Sequence, residues 1–311
     1  MTGVGHAPGH HGEILQGVFR DRGRRCRGLV TLPVPGAATR AEFVPGPGPL
    51  TVTPPDRAKA RRAAELAAAA CGRPAGGSLR LDSGLPVGLG LGSSTSDILA
   101  TVRAVSAAFG VVLAPEAVAR IAVRAERACD PIMLGGGAVL FAQREGRVLE
   151  RLGPRLPPVV VIGCVTGGGA PVDTLALGAV AEVAAFERLR RMLRLAIVTG
   201  DVALLGRVST ESARLNQRVL AKDELPELER IAAVTGAAGV QVAHSGNVAG
   251  LLFDPGGDPD RVRRCVRALR AAGLPATRLF TTEGIDARPH RGGDRAAGPG
   301  PDRRPAGLPA V

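Results

Sequence analysis

Apolar and polar positions alternate along this chain in two rhythms. Within residues 12–53 the apolar residues fall in short runs, Glu13–Phe19, Arg27–Val34 and Thr39–Val44, separated by Gly, Pro and Arg-rich turns, which predicts strands. Residues 57–71, rich in Ala and Arg, predict a helix. Leu79–Leu81 predict a short strand, followed by a Gly-rich loop. Ile98, Leu99, Val102, Val105 and Phe109 then recur at helical spacing, which predicts a helix from about Ser94 to Phe109 with one apolar face. Pro115 opens another helix, expected to run to about Cys129, with Val118, Ile121, Ala122 and Ala125 on one side.

Residues 138–149 read as a hairpin turning near Glu145–Gly146, and 159–165 as a short buried strand. The rhythm then becomes helical over about 176–199, 201–220 and 224–235. Strands at 240–244 and 248–253, a helix at 259–272 and a strand at 277–282 complete the pattern. Mixed strands and helices give way to grouped helices with few strands, which places a boundary near residue 155 in an α+β chain. Residues 287–311 are Pro, Gly and Arg with almost no apolar content and are expected to be disordered.

Composition narrows the picture. Of 311 residues 45 % are apolar, but Trp and Tyr are absent and Phe numbers seven, so the core must rest on Ala, Val and Leu. The same lack of aromatic platforms argues against single-stranded nucleic-acid binding. The net charge of +12 is carried almost wholly by scattered Arg; the only lysines are Lys59 and Lys222. Such scatter fits a compositional bias, and attraction for an anionic ligand such as a nucleotide is the sharper alternative. Five cysteines at wide spacing, without a CxxC pair or a His partner, suit reduced thiols in the cytoplasm. No apolar signal core and no run long enough to span a bilayer are found in the sequence.

The segment with most chemical content is Gly84–Asp97, GLPVGLGLGSSTSD. Glycines at 88, 90 and 92 allow positive φ and close approach of the backbone to a ligand. Ser93, Ser94 and Thr95 then stand at a helix start, where unpaired N–H groups and the helix dipole favour an anion, and where hydroxyls could bind phosphate or Mg2+. An ordinary turn with Ser94 or Thr95 as N-cap is the plain alternative. The loop has no Walker Lys and does not fit GxGxxG.

Residues Pro86–Thr95, PVGLGLGSST, resemble the second motif of the GHMP kinases, a family that includes galactokinase, homoserine kinase, mevalonate kinase and an L-threonine kinase of cobalamin assembly. His6–Gly17, HAPGHHGEILQG, resembles the first family motif, and Gly239–Gly250, GVQVAHSGNVAG, the third, both closest to the threonine-kinase form. The resemblance implies an α+β GHMP kinase fold of two domains with the active site in the cleft between them. Residues 1–155 would form the ATP-binding half, with a left-handed crossover, and 156–286 the second. Gly88, Gly90, Leu91, Gly92, Ser93, Ser94 and Thr95 would wrap the ATP phosphates. Ser94 and Glu126 would hold Mg2+, and Asp130 would orient or deprotonate the attacking hydroxyl. Thr95 replaces the family's usual Ala.

Glu126 and Asp130 are four apart, so they share a helix face if the helix persists that far. Read without the resemblance, they are a surface Glu and an Asp opening a turn before Pro131. Some family members carry a Lys in the first motif; here His10 and His11 stand there and no Lys is near in sequence, so an assisting lysine is expected to be absent. By resemblance His10, Glu13, His244, Ser245 and Gly246 would contact substrate, Glu13 through an ammonium group. Glu13 as an exposed strand carboxylate, His244 as a structural hydrogen-bonder and Gly246 as a tight-hairpin residue are the plain alternatives.

The expected reaction is phosphoryl transfer from ATP to the hydroxyl of an amino-acid-like substrate, L-threonine first. Homoserine, another hydroxy metabolite, or a catalytically inactive sensor of the same fold are the alternatives. The expected partners are ATP, Mg2+ and a small acceptor, with no nucleic acid and no membrane; a homodimer is left open.

Overall fold

The computed structural model describes residues 1–135, 137–169 and 182–282. The expected disorder of 287–311 and the first residues of the 176–199 helix lie outside these ranges.

Strands β1 (Gly3–Asp21) and β2 (Arg24–Pro45) form a long antiparallel ribbon. They are joined through Arg22 and Gly23, both at positive φ (48° and 78°), the two-residue connection that suits the strand twist. Here the expectation of separate strands at 27–34 and 39–44 is corrected. Pro8 pairs with Ala38 and His10 with Pro33, so residues 34–37 form a bulge within one strand rather than a turn. Further register shifts fall between His10 and Glu13 and between Glu13 and Leu15. β1 also begins earlier than the apolar pattern suggested, because its first residues alternate buried and exposed with Gly as the buried member.

β3 (Leu50–Thr53), α1 (Ala58–Ala70) and β4 (Gly77–Ser83) make a parallel βαβ unit at one end of the sheet. α2 (Ser93–Ala108) lies across the β1–β2 ribbon, with α1 and α3 (Pro115–Glu126) beside it. It can lie this close because Gly3 and Gly5 face Ala104 and Ala100, and a methyl on either glycine would overlap the helix backbone. α2 is therefore buried almost all round, down to Ser96, Asp97 and Thr101. Asp97 is satisfied by Thr39 Oγ1 at 2.9 Å, with Arg57 at 3.7 Å.

β5 (Ala138–Ala142) and β6 (Arg147–Gly153) form the predicted hairpin beside β2. β7 (Val160–Val165), α4 (Val183–Thr199), α5 (Val202–Asn216), α6 (Leu225–Thr235), β8 (Gly239–Val242), β9 (Val248–Phe253), α7 (Pro259–Ala271) and β10 (Arg278–Thr281) follow in the expected order. The sheet runs β10-β7-β9-β8-β1-β2-β4-β3, so β1 joins the strands of the second half to those of the first.

One apolar cluster packs α1, α2 and α3 on the first strands; another fills the space between β1, β2 and α4; a third lies under α6 and α7. Ala, Val and Leu dominate as composition required, yet six of the seven Phe are buried, so the few aromatic anchors are all spent inside. Much of the Arg excess is answered at the surface, as in the pairs of Arg190 and Arg194 with Glu150 and of Arg214 with Glu229. No helix among the described residues is long and apolar enough to cross a membrane.

Candidate functional site

The three singled-out segments are far apart in sequence and meet at one place. The glycine loop is gripped from both sides by backbone hydrogen bonds. The His10 and Gly12 N–H groups donate to the carbonyls of Leu91 and Gly90 at 3.1 and 3.2 Å. From the other side the Asn247 and Val248 N–H groups donate to the Leu89 carbonyl at 2.9 and 3.1 Å. Gly88, Gly90 and Gly92 take φ of 81°, 86° and 70°, the left-handed region that the alternating glycines permit. Gly90 and Gly246 are packed backbone to backbone, and a methyl on Gly246 would overlap Gly90. With loop carbonyls tied back, the first intrahelical bond of α2 runs from the Ser96 N–H to the Gly92 carbonyl at 2.9 Å, and the N–H groups ahead of it have no partner within the helix, an arrangement that suits an anion.

Gly92 is the N-cap, in the left-handed conformation and without a side-chain cap bond. Neither Ser94 nor Thr95 acts as an ordinary cap. Ser94 Oγ donates to Glu126 Oε2 at 2.6 Å, and Thr95 Oγ1 lies 2.7 Å from Glu126 Oε1 and 3.1 Å from Asp130 Oδ2. Thr95 is 3 % exposed, so its hydroxyl serves the two carboxylates rather than a ligand, while its backbone remains part of the loop's end.

Helix α3 stops at Glu126, because Arg127 turns left-handed with φ 68°. The expected run to Cys129 is corrected: Asp130 does not share a helix face with Glu126. It stands in extended conformation ahead of a 3-10 turn, Pro131–Leu134, and Thr95 is what brings the two acids together. Burial drives the Glu126 carboxyl upward, against the Ser94 and Thr95 hydrogen bonds and the charge of Lys59.

Asp130 meets His10, whose Nε2 is 3.0 Å from Oδ2 although the carboxylate stands off the N–H axis. His10 Nδ1 is 3.2 Å from the Gly12 carbonyl. Burial alone would lower the His10 pKa, but the charge of Asp130, with Glu13 and the Gly12 carbonyl behind it, holds it at about 9. Burial would raise Asp130, and the His10 charge outweighs it and keeps the carboxyl low. Both contacts of Asp130 fall on Oδ2, and its side chain keeps 19 % exposure beside a His10 that has 3 %.

Glu13 is buried, not the exposed strand carboxylate of the plain reading. The bulges on either side of it aim its side chain at the second half, where Oε2 accepts the His244 N–H at 2.8 Å. Both ring nitrogens of His244 are used, Nδ1 at the Val242 carbonyl (3.2 Å) and Nε2 at the Ser212 hydroxyl (2.8 Å). Its ring is thus a structural hydrogen-bonder, and the residue reaches Glu13 through its backbone N–H, with ring Nδ1 a further 3.5 Å from the same carboxylate oxygen. Ser245 is partly exposed in the turn, followed by buried Gly246.

No lysine stands in the first motif, as the sequence has it, but the fold brings lysines from elsewhere to this region. Both lysines of the chain stand at this site, brought in from other segments. Lys59 Nζ is 3.4 Å from Glu126 Oε2, and Lys222 Nζ donates to the Gly246 carbonyl at 2.8 Å. Burial lowers Lys222 to about 8, against the opposing pull of Glu13 and Glu224. Ser212, Asn216 (Nδ2 to the His244 carbonyl, 3.4 Å) and Lys222 had no signal in their own segments. Only the scarcity of Lys in an Arg-rich chain could have drawn attention to residues 59 and 222.

Two sets of side chains could hold a cation. A nitrogen of His10 and carboxylate oxygens of Glu13 and Asp130 lie within 4.8 Å of one another. In this set His10 is already paired with Asp130 at 3.0 Å. Ser94 with the buried Glu126 carboxylate is the better fit to Mg2+: hard oxygen donors at the helix start, with a buried acid whose one cationic neighbour among the described residues, Lys59, is half exposed and 3.4 Å away.

Residues 58–142, which include the glycine loop, Glu126 and Asp130, match the GHMP kinases N terminal domain. No curated protein matches the chain. Among solved structures, a homoserine kinase from Cytophaga hutchinsonii superposes with a TM-score of 0.65 at 15 % identity, covering 93 % of this chain and 96 % of that one. An L. major mevalonate kinase in complex with R-mevalonate gives 0.60 at 18 %, covering 90 % and 95 %. A structure described as MDDEF in complex with MVAPP, AMPPCP and magnesium gives 0.64 at 14 %, covering 90 % and 96 %. The fold is that of the GHMP kinases, and the matched N-terminal segment supports that family.

Proposed function

We propose that this protein is an ATP-dependent kinase that phosphorylates the hydroxyl of a small amino-acid-like substrate, with L-threonine the first acceptor to test. The observation that carries the reading is the continuous contact from Ser94 through Glu126 and Thr95 to Asp130, beginning at the head of α2. ATP phosphates would rest on the N–H groups of the glycine loop and the first turn of α2. Ser94 and Glu126 would hold Mg2+, which when bound would neutralise phosphate charge.

Asp130 directs its remaining oxygen to the acceptor hydroxyl. Because His10 keeps it ionised, Asp130 orients the hydroxyl and is a weak base, which suffices where the transition state needs positioning more than proton removal. Glu13, buried beside it, suits an acceptor ammonium. In this reading residues 1–155 are the nucleotide half and 156–286 complete the acceptor side through His244, Ser245 and Gly246. Homoserine is the next acceptor to test, since one of the superposed structures is a homoserine kinase. Five free cysteines, four of them buried, suit a reducing cytoplasm.

The test is ADP release with ATP, Mg2+ and a panel of hydroxy amino acids. Turnover of at least one, lost in Asp130→Asn, supports the reading. ATP binding with no turnover of any acceptor overturns it in favour of a ligand sensor of the same fold.

A further inference from the structure

Lys222 is a buried charge with no part in the reaction described so far. It lies between α5 and α6, is 4 % exposed, and is fixed by its own N–H group donating to Gln217 Oε1 at 2.7 Å. Its ammonium bonds a neutral carbonyl, that of Gly246, and this uses one of its three donors. A carbonyl does not balance a full buried charge. The nearby acids, Glu13 and Glu224, act on it through charge but neither bonds the ammonium: Glu13 Oε2 accepts from His244, and Glu224 Oε1 accepts the Gly167 N–H at 2.7 Å.

The choice of residue is informative too. The chain has 40 basic residues, of which all but Lys59 and Lys222 are Arg. In so Arg-biased a sequence, a buried lysine marks a place where a guanidinium fork does not serve. A compact ammonium can bond the Gly246 carbonyl and still offer donors to a second group.

We propose that Lys222 binds the α-carboxylate of the acceptor, so that Glu13 and Lys222 together read a zwitterion. Glu13 takes the ammonium end and Lys222 the carboxylate end, each completing a buried charge that the ligand-free protein leaves partly unanswered. The acceptor hydroxyl is then the group left to face Asp130. Lys222 also couples recognition to the nucleotide side, because the Gly246 it bonds is packed on Gly90 of the phosphate loop. The inference rests on the kinase reading and narrows it to acceptors that carry both an amine and a carboxylate.

The experiment compares L-threonine with 1-amino-2-propanol, which lacks the carboxylate, and with 3-hydroxybutyrate, which lacks the amine. Wild type should prefer L-threonine to the amino alcohol by on the order of 100-fold in kcat/KM, as expected when a buried charge is left unpaired. Lys222→Gln keeps a donor for Gly246 without the charge. It should reduce that preference about 100-fold through KM, and Lys222→Arg should restore part of it. If Lys222→Gln slows both acceptors by the same factor, or if wild type does not discriminate between them, the carboxylate role is overturned while the kinase reading stands. Should wild type turn over no acceptor, the kinase reading falls, and calorimetric titration decides the inference separately. L-threonine, L-serine or L-homoserine binding to wild type but not to Lys222→Gln supports it, and binding of none, or equal binding to both, overturns it. Lys222→Met serves in the same comparisons where Lys222→Gln fails to fold.

Discussion

His10 and Asp130 stand 3.0 Å apart, and this one ion pair ties the first strand of the sheet to the segment that follows α3. It sets the ionisation of both groups. His10, raised from 6.5 to about 9, stabilises the fold fully below pH 6.5 and loses that contribution as pH rises through 9; the shift corresponds to ~3 kcal/mol. Asp130, held low, contributes above its unfolded value of 3.8 and loses its part as pH falls below that. The pair should therefore act at full strength between pH 4 and 6.5. Thermal melts of wild type and His10→Gln across pH 4–10 should differ most in that window and converge above pH 9. A constant difference across the range would refute the pair's role.

The adjacent histidine behaves oppositely. His11 is buried against Phe280 and bonded to Gln241 Oε1 at 2.9 Å, and burial lowers its pKa from 6.5 to about 4. Its neutral form is the stable one, so stability is lost as pH falls from 6.5 through 4. NMR titration should find neighbouring imidazoles with midpoints near 9 and near 4, and two ordinary midpoints near 6.5 would contradict both assignments.

Thr95 should matter more for catalysis than for shape. Thr95→Val keeps the volume but removes the hydroxyl shared by Glu126 and Asp130. Losing one hydrogen bond to a buried charged group costs about 1.5–3 kcal/mol, although Ser94 still donates to Glu126 and His10 still faces Asp130. The expected result is a drop of roughly 10-fold or more in kcat with KM for ATP little changed. An unchanged kcat would show that the two acids do not need this bridge.

Ser94 and Glu126 form the set assigned to Mg2+. Glu126→Gln should raise the Mg2+ concentration needed for half-maximal activity and lower kcat by about 100-fold, because a neutral amide is a poor hard-cation ligand. Activity measured against Mg2+ concentration checks this; coincident curves for variant and wild type would remove Glu126 from the site.

Gly246→Ala would drive a methyl into Gly90. Neither backbone can yield without moving the other, so a loss of about 1–3 kcal/mol in stability is expected, with weaker ATP binding. Chemical denaturation and nucleotide titration provide the check, and wild-type values for both would show that the two loops are not coupled as described.

What could be read from the chain itself is whatever depends on short-range pattern. Apolar spacing along α2 and α3, the Pro that opens α3, and the alternation of Gly with hydroxyl residues at 88–95 are local, so the helices and the anion-ready loop were legible before any contact was known. What was not legible depends on partners in other elements of the fold. The bulges that turn His10 and Glu13 inward arise from pairing with β2, and neighbours His10 and His11 acquire opposite ionisation because successive strand residues face different surroundings. Residue spacing suggested a shared helix face for Glu126 and Asp130; the fold ends that helix early and joins them through Thr95. Lys59 and Lys222 reach the site only because the sheet and helices close around it. Local spacing determines which elements form, whereas charge, burial and convergence belong to the packed molecule, since an ionisable group takes its character from whatever the fold sets beside it.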